Sequence, residues 1–270
     1  MSDAEIRAAD ATTRGKRLRR SIEQTTPTEV LLYVVLAVMA GFYLIPIESG
    51  LVTSIKTNTA IIGTAPYAPP GVGGATLQKW QAAIDALLRG MGNSLLYAVP
   101  ATLISAVLGS ITAYGLTMPT WKRAYKAPLI ALIVAGIFIP YQAVLVPLTQ
   151  FWYNIVPLRS MFEPLAALPL VETYHWKLLA LIITHTAYGL PICTLLFRAH
   201  YKKLSDEMVE AAQLDGASIA TIYRRIILPL SIPMFAVVFI YQFTQIWNDL
   251  LFALTIVQFG DAAVVTQDLV

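Results

Sequence analysis

Apolar residues in this chain collect into runs of roughly 20, the length an α-helix needs to cross a hydrocarbon layer about 30 Å thick. Five such segments can be placed, over about 29–55, 93–117, 128–151, 178–197 and 229–257. Polar stretches separate them, several rich in Lys and Arg. Helices satisfy their backbone hydrogen bonds internally, so this pattern predicts an all-α polytopic membrane protein. In the second segment Ala101, Ser105, Gly109 and Ala113 recur every four residues, which lets a neighbouring helix approach closely in lipid.

Composition agrees. Hydrophobic residues make up 57% of the 270, charged residues only 13%, and mean hydropathy is +0.63. A soluble domain carries about twice that charge fraction. The net charge of +3 is concentrated in short loops, a signature of membrane orientation and not of nucleic-acid binding. Arg14, Lys16, Arg17, Arg19 and Arg20 precede the first segment; Lys122, Arg123 and Lys126 follow the second; Arg198, Lys202, Lys203, Arg224 and Arg225 follow the fourth. The positive-inside rule places these loops in the cytoplasm, with the loops at 56–89 and 152–177 outside. The first segment, behind its basic leader, is expected to be an uncleaved helix with a cytoplasmic N-terminus. Cys193 is the single cysteine, so no intrachain disulfide forms.

One polar stretch is out of keeping with lipid. Between the fourth and fifth segments, "EAAQLDGASIATIYRRIILPLS" carries acids, paired arginines, a glycine and a proline. Ser205 suits an N-cap, with Asp206 and Glu207 in the first turn where the helix dipole favours acids. That helix is expected to run to Leu214 and stop at Asp215-Gly216, with Gly216 in the left-handed conformation. A second helix can start at Ser218, with Ile219, Ile222, Tyr223, Ile226 and Ile227 on one face and Pro229 ending it. In the first helix Leu204, Met208 and Ala211 form a stripe, with Glu207 and Glu210 beside it. The result is a cytoplasmic helical hairpin. A helix lying on lipid usually shows a basic polar face; this one is acidic, which favours a positively charged protein partner.

The spacing "EAA", then glycine, then "I-x-LP", carried by Glu210, Ala211, Ala212, Asp215, Gly216, Ala217, Ile226, Leu228 and Pro229, resembles the cytoplasmic coupling loop of permease subunits of ATP-binding-cassette (ABC) importers. "NSLLYAVPATLISAVLGSITAYGL", "IPYQAVLVPL" and "WNDLLFAL" are similar to maltose-type carbohydrate permeases, and "YGLPICTLLFR" to glucose and mannose permeases. The resemblance implies a MetI-like ABC importer permease bundle: a basic segment over 1–28 and one transmembrane permease domain over 29–270, with the coupling loop at 200–229. It implies six spans, so a sixth is expected where this sequence stops. It also implies partners: a second, different permease subunit, two ATPase subunits that carry ATP and Mg, an extracytoplasmic sugar-binding protein and the lipid bilayer of the cell membrane. This chain itself would bind no cofactor. Glu210 would meet a basic residue of the ATPase, Gly216 would allow the turn, and 226–229 would transmit force.

No G-x-x-x-x-G-K-[ST], H-E-x-x-H or G-x-S-x-G occurs, so no catalytic constellation is legible. His175, His185 and His200 are scattered, and His185 fits a packed, hydrogen-bonded histidine. In the fifth segment Gln242, Gln245 and Asp249 fall at i, i+3 and i+7, with Trp247 and Asn248 beside them. Amides and a carboxylate can exchange hydrogen bonds with hydroxyls, and aromatic faces can cover a sugar ring. Tyr141, Gln142 and Tyr188 complete a candidate substrate pathway. The same groups also suit hydrogen bonding between helices, and both readings stay open. An ion-coupled secondary transporter or channel is the competing class. It would need intramembrane charges, for which only Asp249, and Glu48 and Lys56 near an outer helix end, are available.

Overall fold

The computed structural model describes residues 26–117, 122–169 and 171–269. Residues 1–25 of the basic leader and 118–121 of the second basic loop lie outside the described residues. By its internal contacts the chain divides into two compact units, Met1–Ile84 and Asp85–Val270.

The first unit contains α1, Pro27–Ser54. Thr26 and Glu29 close a capping box: the Glu29 amide donates to the Thr26 hydroxyl, and the Glu29 carboxylate accepts the Thr26 N–H at 2.7 Å. None of the 28 residues of α1 is buried, as expected of a helix whose solvent is lipid. Beyond it, the chain folds back on Lys56. Its side chain is fully buried, and Nζ donates to the Ala65 and Pro66 carbonyls at 2.7 and 3.2 Å. Lys56 therefore fastens a loop.

Helix α2, Gln78–Thr117, is 40 residues long, roughly 60 Å at the standard rise and about twice the hydrocarbon thickness. It starts fifteen residues before the expected segment (93 against 78), because hydropathy marks only the part of a helix that lies in lipid. Its buried face includes Ala101, Ser105, Gly109 and Ala113. A Cβ on Gly109 would come within 2.5 Å of the Cys193 Cβ, so the glycine is what allows this approach.

The third apolar segment is not one straight span. It forms α3, Arg123–Ile137, and α4, Tyr141–Gln150, which meet at a 93° bend. Pro140 is the cause: it sits extended at the N-cap of α4 and biases Ile139 away from helical geometry. Helix α5, His175–Tyr201, covers the fourth segment and carries Pro191 within it.

The hairpin follows as α6, Asp206–Leu214, and α7, Ile219–Leu230, and the chain then continues into α8, Ile232–Trp247. Pro229 does not end a helix as expected. A π-helical turn over Tyr223–Ile227 loosens the backbone just upstream, where the proline ring would otherwise crowd the carbonyl four residues back. The 73° bend comes instead at the break between Leu230 and Ile232. Among the described residues α1, α2 and α5 are long and apolar enough to cross a membrane; the number reaches five when each bent pair is taken as one span.

Two buried clusters organise the second unit. One joins Tyr97, Trp152, Trp176, Leu181, Ile246, Phe252 and Ile256. The other joins Tyr114, Cys193, Phe197, Val209, Ile222, Ile227 and Val238. The second cluster includes the inner face of the hairpin.

Candidate functional site

The hairpin turns at a complete Schellman motif. Gly216 has φ +78°, the Ala217 amide donates to the Ala212 carbonyl at 2.9 Å, and the Gly216 amide to the Gln213 carbonyl at 3.0 Å. Ser218 then caps α7, its hydroxyl accepting from the Thr221 amide at 3.2 Å. Ser205 occupies the N-cap position of α6 but makes no side-chain capping bond. The buried stripe of α6 also differs from the expected one. Val209 is buried and Ala212 half-buried, whereas Met208 and Ala211 face outward. The amphipathic period was right and the face was one residue off, because Val209 meets the core through Ile222 and Ile227.

The inner face of the hairpin is fastened by hydroxyls. The Tyr223 and Tyr201 hydroxyls both meet Ser110 Oγ on α2, at 2.7 and 2.5 Å, and Tyr114 Oη donates to the Ile219 carbonyl at 3.1 Å. The outer face is left bare. Glu210, Ala211, Asp215 and Gly216 are exposed, and so are three apolar residues: Leu214 at 89%, Ile219 at 50% and Met208 at 40%. Of the remaining coupling candidates, Ala217, Ile226 and Leu228 are half-buried and Pro229 is exposed.

Within the second unit, a cavity of about 340 Å³ opens between α5, α8 and the start of α4. Six of the eight pathway candidates line it: Tyr141, Tyr188, Gln242, Gln245, Asn248 and Asp249. The bend at Pro140 sets the Tyr141 ring on that of Tyr188, centroids 4.9 Å apart and 21° from parallel, with Phe252 edge-on at 5.0 Å. Gly189 leaves room for Gln242, whose amide nitrogen occupies the space that a Cβ there would take. Asp249 accepts from the Phe252 amide at 3.0 Å, so it also caps the following helical turn.

Two candidates fall elsewhere. Gln142 is exposed outside the cavity, and Trp247 stacks on Phe243 at 5.4 Å against the core. Each is one residue from a lining position, about 100° round the helix. Conversely, His185 lines the cavity, although the sequence pointed to a hydrogen-bonded core histidine. It is buried and stacks near Tyr97, but its Nε2 has no hydrogen-bond partner. A face at 185, 188, 189 and 192 follows the helical i, i+3, i+4, i+7 spacing, a signal that would have found it.

Bent helices around a polar cavity, joined to a polar hairpin with an open face, define a polytopic membrane transport component. Residues 132–268 match the family described as binding-protein-dependent transport system inner membrane component, and the chain belongs to that family. It is 50% identical, over 89% of its length and 78% of the relative's, to the xylose/arabinose import permease protein XacI of Haloferax volcanii. It is 28% identical to the glucose import system permease protein GlcU of Saccharolobus solfataricus, over 84% of this chain and 74% of that one. Its fold is shared with the crystal structure of a bacterial ABC transporter involved in the import of the acidic polysaccharide alginate, at TM-score 0.57 and 18% identity, over 91% of this chain and 80% of the other.

Proposed function

We propose that this chain is the non-catalytic permease subunit of an ATP-driven sugar importer of the cell membrane, coupled through its hairpin to a separate ATPase. One observation supports the coupling: the hairpin is hydrogen-bonded and packed on its inner face and bare on its outer face. Leu214, Ile219 and Met208 stand exposed around Glu210 and Gly216, and an apolar patch with a charged rim is the usual form of a protein-binding surface. Residues 29–270 act as one permease domain, with 200–229 as the coupling loop and the basic leader in the cytoplasm. ATP and Mg belong to two partner ATPase subunits. A second permease, different from this one, completes the pathway, and an extracytoplasmic binding protein delivers the sugar.

For the substrate, the 50% relative is named for xylose and arabinose and the 28% relative for glucose. A pentose is therefore favoured over glucose.

Co-purification with the co-encoded ATPase tests the coupling. Wild type should capture it and Glu210→Ala should weaken capture. Gly216→Pro should abolish capture, because proline cannot adopt a φ of +78°. Equal capture by all three, or none by wild type, would leave the hairpin as a helix lying on lipid.

A further inference from the structure

The polar groups of the cavity are not spent on one another. His185 Nε2 and Tyr188 Oη are both buried without a hydrogen-bond partner, and both belong to lining residues. The Asp249 Oδ2 nearby is 3.6 Å from His185 Nε2, beyond hydrogen-bond length. Leaving a buried polar atom unsatisfied forfeits its hydration without a replacement bond. Two such atoms on adjoining turns of α5, in residues that line the same space, point to a ligand that supplies the missing partners.

The surroundings define the ligand. Tyr141 and Tyr188 stack on each other in the lining, with the buried Phe252 edge-on to Tyr141, giving an aromatic surface suited to the C–H face of a sugar ring. Gln242, Gln245 and Asn248 add amides that both donate and accept. Among the described residues the lining has no Lys or Arg and does have the Asp249 carboxylate, so an anion would meet repulsion in a poorly screened site. At about 340 Å³ the space lies near the lower end of ligand cavities, roughly 300–1,000 Å³. That is room for a single sugar ring.

We propose that this chain itself holds the sugar in transit: one neutral monosaccharide sits in the cavity, its hydroxyls bonded to His185 and Tyr188 and its ring against Tyr141. The proposal rests on the importer reading above and adds where, and by which residues, the sugar is held.

The test is saturation-transfer NMR on the whole transporter in nanodiscs, with D-xylose and D-glucuronate as probes, beside ATP-dependent D-xylose uptake by the same complex in proteoliposomes. D-xylose ring protons should take up saturation from wild type, and D-glucuronate should not. His185→Ala and Tyr188→Phe should each weaken D-xylose binding roughly five- to tenfold, about the worth of one hydrogen bond. Tyr188→Phe keeps the ring stack, and ATPase capture confirms that both variants fold. Undiminished signals in both variants, an equal D-glucuronate signal, or no D-xylose signal from a complex that still takes up the sugar would each overturn the site and leave the importer standing. A complex that takes up no sugar at all would overturn the importer reading and the site with it.

Discussion

The hairpin and the cavity break the ordinary rule of burial in opposite senses. Around 205–230, in a polar part of the sequence, Leu214 and Ile219 are left exposed. In the spans, His185 and Tyr188 bury polar atoms that have no partner. Each exception costs stability, and on the reading proposed above each meets a different kind of partner: an apolar protein surface for the first, a hydroxyl-rich small molecule for the second. Between them the structure is conventional, with small residues of α2 packed on α5 and hydroxyls joining α2 to the hairpin. The two exceptions should therefore respond separately to substitution.

The largest effect is expected at the hairpin tip. Leu214→Asp puts a charge where an apolar contact should form, and a well-buried interface anchor is worth about 2 kcal/mol or more, roughly 30-fold in ATPase affinity. Sugar binding in the cavity should be unchanged, as nanodisc NMR can show. Next comes Gly189→Ala, which must displace the Gln242 amide. We expect sugar uptake to fall by about tenfold, a loss of roughly 1.4 kcal/mol, with ATPase capture intact. Tyr223→Phe removes the bond to Ser110 at 2.7 Å and tests the link between the regions. A loss of about 1 kcal/mol should lower the melting temperature by roughly 2–4 °C. The smallest effect is expected for Leu44→Ala on α1, where nothing is buried: within about 0.5 kcal/mol, read as an unchanged melting temperature.

The hairpin was largely legible in the sequence because its signals are local. Ser218, Gly216 and the i, i+3, i+4 spacing act within a few residues of one another. What was missed there, the choice of Val209 over Met208 as the inward residue, depends on a core contributed by distant segments. The cavity was legible only in part. Periodicity brought Gln242, Gln245 and Asp249 together; the same spacing at 185, 188, 189 and 192 marks the face that holds His185, while its cavity neighbours on α8 are far away in sequence. The 93° bend that places Tyr141 was also hidden, since apolarity measures where a segment can lie and says nothing of its direction. Pro140 was visible, and its effect on Ile139 is the physical reason for the bend.

The most direct measurement is D-xylose uptake and ATP hydrolysis in proteoliposomes containing the full transporter and its binding protein, comparing wild type with Leu214→Asp. If the hairpin couples a sugar pathway to an ATPase, wild-type uptake requires ATP and hydrolysis speeds up when the loaded binding protein is added. Leu214→Asp should then lose both together. Uptake that persists without ATP, or that is unaffected by Leu214→Asp, would contradict the coupling.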